Sequence, residues 1–447
     1  MAGTLPPLEL PPTRWERLLA PWTRFVQHEA SSGALLLSAT ALALAWANSP
    51  WGESYARLWE TKVRLGVGEV EMALSLHHLV NDGLMAIFFF LVGLEIKREL
   101  LVGELASPRR AALPIAAALG GMLVPAAIYV LFNPSGPERR GWGVPMATDI
   151  AFSLGILALV GRGGPPSLRI FLAALAIVDD LGAVLVIAIF YAGKLDMTAL
   201  AMAAGAFGLL LLANRLGARH PAVYAVLALA LWAAVFGSGV HATVAGVLAA
   251  LAVPARTRVD TDEVLHRGRA LLDAFDAAGE EGPNVLTNRG QQAALEGLER
   301  LTEAALTPLQ RMERALHTWV LYGIMPVFAL ANAGVRLDDL GAHVLGSSVL
   351  WGVALGLALG KPLGITLAAW GATRLGWAQA PEAGWRRLHA VGWLAGIGFT
   401  MALFIATLAF PSGPALAAAK VGILSGSFVA ALVGAALLVT RRRGSSA

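Results

Sequence analysis

The sequence predicts an all-α, polytopic membrane protein of about twelve transmembrane helices, with inverted repeats and two interrupted helices. Three observations carry this. Hydrophobic residues make up 57% of the chain against 14% charged, and mean hydropathy is +0.65, far above an ordinary water-soluble domain. Apolar runs recur at about the 20 residues that a helix rising about 1.5 Å per residue needs to cross a bilayer. A few ionisable residues, Asp82, Asp149, Asp179, Asp180 and Lys361, sit inside those runs.

Taken in order, residues 1–29 contain "PPTRWERLLAPWTRFVQHEA", which is polar and amphipathic. This stretch lacks the charged, apolar, small-residue progression of a cleavable signal peptide, and is expected to lie along a membrane surface. Region 30–253 holds helices one to eight, at about 30–49, 77–97, 111–132, 145–160, 168–191, 197–214, 221–236 and 239–253. Between the first two, "KVRLGVGEVEMAL" alternates apolar and polar residues around Gly66 and Gly68, the pattern of a periplasmic hairpin at about 61–73. An isolated hairpin is marginal in water, so pairing with a second copy in a homodimer would stabilise it. Residues 254–317 are charged and helix-favouring and read as a cytoplasmic helical loop. Region 318–440 holds the last four spans, at about 318–335, 345–370, 391–410 and 416–440, and 441–447 form a basic cytoplasmic tail.

An even number of spans puts both termini on one side. With the termini in the cytoplasm, the inner segments collect most of the basic residues, among them Lys97, Arg98, Arg109, Arg110, Arg386, Arg387 and Arg441 to Arg443. The outer segments keep few, such as Arg57, Lys62 and Arg139. That bias makes both termini cytoplasmic, and it accounts for a pI of about 9.6 without a nucleic-acid partner. The absence of cysteine excludes disulfide and thiolate chemistry.

Charges inside spans carry the functional signal. An ionised side chain at the centre of a membrane helix costs roughly 2.5 to 3.5 kcal/mol, so such residues face protein or water. "AIVDDLGAVLVIAIFY" holds Asp179 and Asp180 side by side; Asp82, Asp149 and Lys361 sit in other apolar runs. Neighbouring helical residues point about 100° apart, so one aspartate can meet an ion while the other meets a partner. Lys361, too deep in its span to snorkel, is the natural partner: it can pair with a carboxylate or stabilise the carbonyl end of a broken helix. Pro362 points to a local break beside it. "RRGWGVPMATDIAFSLGIL" and "RRLHAVGWLAGIGFTMALF" share a Gly-Trp pair, small residues and a threonine before an apolar half. By span count the units 111–191 and 345–440 enter the membrane from opposite sides. That is an inverted repeat with interrupted helices in equivalent places, pointing to an ion site at the midplane, where Asp149 and Lys361 can offset helix-end charges. His241, at the start of a span, is either a water-facing terminal residue or a pH sensor.

In order along residues 30–440, "LVNDGLMAIFFFLVGLEIKREL", "PMATDIAFSLGIL", "LAIVDDLGAVLVIAIFY", "GSGVHATVAGV", "LHTWVLYGIMPVFALANAGV", "LGKPLGI" and "LAGIGFTMALFIATLAF" closely resemble the NhaA-type sodium/proton antiporters. The resemblance implies a crossed pair of broken helices and a pH-regulated, electrogenic exchange of cytoplasmic Na+ or Li+ for external protons across the cell inner membrane, with no cofactor. It implies Asp180 as principal cation ligand, Asp179 as the carboxylate paired with Lys361, and Thr148 and Asp149 as the unwound-chain residues beside the site. Glu95, Arg98, Glu99, Glu313 and His241 match positions linked to pH response, and Asp82 an accessory carboxylate near the entrance. The loop at about 254–312 looks longer than in that family. The chemistry is consistent: a hard cation wants oxygen ligands, and a carboxylate withdrawn from water also favours its protonated form, so Na+ and H+ compete.

Two other classes use buried carboxylates. An intramembrane aspartyl protease needs two that converge from facing helices, and adjacent Asp179 and Asp180 cannot. A proton-coupled symporter of an organic solute with the same architecture is the alternative reading.

Overall fold

The computed structural model describes residues 29–67, 70–160, 165–257, 259–279, 288–336 and 342–439. Residues 1–28 and 440–447, with most of the expected surface segment and the basic tail, lie outside that set. Among the described residues 9 helices are long and apolar enough to cross a membrane, and two bent pairs bring the number to 11 if each pair is one span. The bent pairs are Ser31–Ala47 with Gly52–Glu60, at 112°, and Trp385–Ala395 with Phe399–Ala409, at 47°. The structure is a polytopic all-α protein with one two-stranded hairpin.

Local chemistry sets the helix ends. Pro108, Pro166, Pro221 and Pro308 open their helices, where a fixed φ helps and a missing amide costs nothing. Apolar residues such as Leu123, Leu131, Leu185, Ile189, Leu229 and Leu367 remain exposed on the outer helix faces, as a lipid-facing surface requires. Inside, helices touch through small residues. Gly120 of Pro108–Phe132 lies against the carbonyl of Gly364 in Lys361–Arg374, and a Cβ at either would collide with the other backbone.

Three differences from the sequence reading have local causes. In place of the span at 239–253 stands the helix Thr243–Ala252, whose 10 residues rise only about 15 Å, half a bilayer. Gly239, at φ 84°, breaks the chain ahead of it. The expected interruption at Pro362 is a single π-helical segment, Gly356–Gly360, inside the continuous span Ser348–Arg374. Pro362 then falls in the first turn of Lys361–Arg374, where its missing amide is tolerated. The span expected from 318 begins at Pro308 and runs to Asn332. Thr307 and Gln310 form a capping box there, so Glu313 and His317 belong to the membrane helix. The expected hairpin pairs Lys62–Val67 with Val70–Ser75, in register from Lys62↔Ser75 to Val67↔Val70.

The rest of the charged loop folds into two helices packed on one another, Thr261–Ala277 and Arg289–Ala305, capped by Asp260 and Asn288.

Candidate ion-exchange site

Two chain breaks meet at the centre of the molecule. One is the non-helical stretch Ala147–Asp149, between the 3-10 helix Pro137–Met146 and the helix Ile150–Val160; the other is Gly396–Gly398, between Trp385–Ala395 and Phe399–Ala409. Breaking a helix inside a membrane strands backbone groups that lipid cannot satisfy. Here the two breaks satisfy each other. The Asp149 amide donates to Ile397 O at 2.7 Å, Thr148 Oγ1 donates to Ala395 O at 2.9 Å, and Ser153 Oγ donates to Leu394 O at 2.8 Å.

The half-helices also direct their end charges at the crossing. Asp149, 1% exposed, answers the positive ends. Its Oδ1 accepts from the Phe152 amide at 3.1 Å, and its Oδ2 from the Thr400 amide at 3.1 Å and from the Thr400 hydroxyl. One carboxylate thus caps the N-termini of both Ile150–Val160 and Phe399–Ala409. Lys361, fully buried, answers a carbonyl end. Its Nζ donates to Met146 O, at the close of the 3-10 helix, and lies 2.5 Å from Asp179 Oδ2. Both partners expected for this lysine from the sequence are therefore met at once.

Asp179 and Asp180 share the helix Pro166–Phe190 and are each 1% exposed. Asp179 turns to Lys361. Among the described residues neither oxygen of Asp180 has a hydrogen-bond partner, nor does Oδ1 of Asp179. Buried polar atoms are rarely left so. Asp180 instead lines a cavity of about 630 Å³ with Asp149, Glu95, His317, Met325 and Met401. A larger groove of about 730 Å³ runs along Phe90, Ala228 and Trp232; it includes none of these carboxylates.

The remaining expected residues form two separate groups. Glu95 faces the cavity beside Asp180, and Arg98 on the same helix lies 3.5 Å from Glu99 and 3.4 Å from Glu313. His241 stands apart from this group. It lies 3.3 Å from Asp82, its side chain 12% exposed, with Nδ1 2.8 Å from Thr243 Oγ1 and its ring edge-on to Phe404. A freely water-facing histidine is not what the fold contains. Thr400 and Ser427 emerge as further site residues. Ser427 Oγ accepts from the amides of Gly398 and Phe399 at 3.2 and 3.3 Å. Thr400 was visible in "GIGFTMALF" only as a shared threonine, and Ser427 had no sequence signal.

Crossed broken helices, compensated end charges and a partnerless carboxylate on a cavity define a class: an ion-coupled secondary transporter, not an enzyme. The family described as "Na+/H+ antiporter 1" matches residues 23–438. Among curated relatives, the "Na(+)/H(+) antiporter NhaA" of Oleidesulfovibrio alaskensis is 52% identical over 430 residues, covering 96% of each chain. "Na(+)/H(+) antiporter NhaA 2" of Sorangium cellulosum is 49% identical, covering 97% of this chain and 94% of its own. "Na(+)/H(+) antiporter NhaA 2" of Myxococcus xanthus is 47% identical, covering 100% and 97%. The protein belongs to the Na+/H+ antiporter 1 family. Nothing among these relatives supports an organic-solute symporter.

Proposed function

We propose that this protein exchanges cytoplasmic Na+ or Li+ for external protons through Asp180, with Asp179 and Lys361 as a titratable pair beside it. The observation that carries the reading is Asp180 itself, a carboxylate 1% exposed with two partnerless oxygens on a cavity. Such a group gains from binding either a proton or a dehydrated cation, and binding one excludes the other. Thr148 lies beside the site and contributes oxygen ligation. Asp149 and Lys361 hold the crossing together electrostatically while one helical bundle moves against the other, exposing the site to each side in turn. An unloaded charged site crosses poorly in low dielectric, which couples the two fluxes.

Glu95, Arg98, Glu99, Glu313 and His241 form the pH-responsive set, and Asp82, 3.3 Å from His241, is an accessory carboxylate near the entrance. The membrane is the cell inner membrane, with both termini cytoplasmic in accord with the basic bias of the inner loops. The 62–75 hairpin is the surface on which two copies pair, since a two-stranded ribbon by itself is marginal in water.

The test is the full chain in proteoliposomes with a trapped pH dye and additions of Na+, Li+ and K+. Na+ and Li+ should drive proton movement and K+ should not, while Asp180→Asn should abolish the response. Normal exchange by Asp180→Asn would remove Asp180 from the mechanism. With two protons moved per cation, each cycle carries a charge worth about 2.3 kcal/mol per 100 mV, so valinomycin with K+ should accelerate exchange. Indifference to valinomycin would make the exchange one for one.

A further inference from the structure

His389 lies one helical turn into Trp385–Ala395, the first half of the broken helix, and makes a chain of hydrogen bonds that ends beside Lys361. The indole Nε1–H of Trp393 donates to His389 Nε2 at 3.0 Å. Indole nitrogen only donates, so Nε2 is the accepting nitrogen and the ring proton sits on Nδ1. Nδ1 is 2.9 Å from Thr366 Oγ1, and that hydroxyl donates its own proton to Pro362 O at 2.7 Å. Every donor and acceptor in the chain is thereby used once, with one tautomer.

We infer that His389 is a positioning residue for the exchange site, donating from Nδ1 through Thr366 to the carbonyl of Pro362 and so fixing the turn that carries Lys361. The contact crosses between two helices. Gly392, one turn beyond His389, also faces Pro362: an added Cβ there would make ordinary van der Waals contact with its Cα, at 3.4 Å. His389 therefore pins the seam at which the broken helix lies against the lysine helix. Lys361 in turn reaches Asp179 and Met146 O, so a shift of its backbone changes how fully Asp179 is compensated. Because Asp179 and Asp180 are neighbours on one helix, a displaced Lys361 also disturbs how that helix presents Asp180, and apparent Na+ affinity falls. The inference rests on the reading of Lys361 as part of the exchange site.

Imidazole isosteres separate this role from simple packing. Asn places its amide nitrogen where Nδ1 lies and can still donate to Thr366; Gln places its polar group nearer the Nε2 position and loses that donor. In proteoliposomes of the full chain, His389→Gln and Thr366→Val should each raise the apparent KM for Na+ by about two- to tenfold, the size of one net hydrogen bond, with maximal rate little changed. The double variant should be no worse than the weaker single variant, and His389→Asn should stay near the parent KM. An unchanged KM in Thr366→Val, the near-isosteric change least prone to misfolding, would overturn the inference. So would His389→Asn failing as badly as His389→Gln. Lys361→Ala is measured alongside: if it exchanges with normal KM and rate, the underlying reading of Lys361 fails and the inference falls with it, whereas a failure confined to the His389 and Thr366 predictions leaves that reading standing.

Discussion

The helix crossing and the helical hairpin of Thr261–Ala277 and Arg289–Ala305 hold charge under opposite conditions. At the crossing, Asp149, Asp179 and Asp180 are 1% exposed and Lys361 0%. On the hairpin, Arg267 pairs with Glu263 at 64% and 41% side-chain exposure, and Arg300 with Glu296 at 81% and 67%. Water and salt screen the second set, so its members are nearly interchangeable. Low dielectric makes each member of the first set answerable for its neighbours. A charge is therefore informative in proportion to what its removal leaves stranded, and the crossing leaves most.

The largest effect belongs to Lys361 and Asp179. Removing either partner leaves a buried charge uncompensated, a loss of roughly 3 to 5 kcal/mol, while removing both relieves much of it. Thermal unfolding of Lys361→Ala, Asp179→Asn and the double variant should be strongly non-additive. Simple additivity would break the comparison at its strongest point, because it would mean that the pair does not act as one unit.

Next comes Asp149→Asn. The substitution keeps the shape but withdraws the charge that faces two helix N-termini, and it sets an amide N–H against the donors of Thr400 or Phe152. A loss of about 2 kcal/mol is expected from charge-assisted hydrogen bonds and helix-end charge together. An unchanged melting temperature would show that the crossing is held by backbone contacts such as Asp149 N to Ile397 O, and that the carboxylate serves the ion alone.

The sequence revealed these residues because a carboxylate or ammonium in an apolar run has no local explanation. Asp179, Asp180, Asp149 and Lys361 were legible for that reason, and both broken helices were legible from a shared Gly-Trp pair and small residues ahead of a threonine. Ser427 was not, because a serine in an apolar helix is unremarkable until the chain break at Gly398 is brought to it. The hydrogen bond from Asn332 Nδ2 to Asn81 Oδ1, 2.9 Å long and buried, was hidden in the same way, its ends 251 positions apart in the sequence. The helix start at Pro308 had a local signal, Thr307 and Gln310 around a proline, but the charges of "RMERALH" outweighed it in a hydropathy reading. The half-length helix Thr243–Ala252 was overread because composition alone does not reveal where Gly239 turns the chain.

The smallest effects belong to the hairpin. Arg267→Ala should change stability by less than about 0.5 kcal/mol, the usual worth of an exposed i,i+4 pair, and should leave Na+ KM untouched. Deleting residues 262–300 is a harsher version of the same test. Outside the deletion the chain already closes on itself, since the Leu309 amide donates to Pro254 O at 3.2 Å, so the shortened connection between them has little distance to span and the loop-closure term changes slowly with length. Glu313 and Arg98 lie beyond the deletion, on membrane helices that begin at Pro308 and Leu76. Maximal exchange in proteoliposomes should therefore stay close to that of the full chain. A folded, inserted deletion protein with no exchange would show that the hairpin acts on the site through the Pro308–Asn332 helix, and the contrast between informative buried charge and replaceable surface charge would have to be redrawn around Glu313.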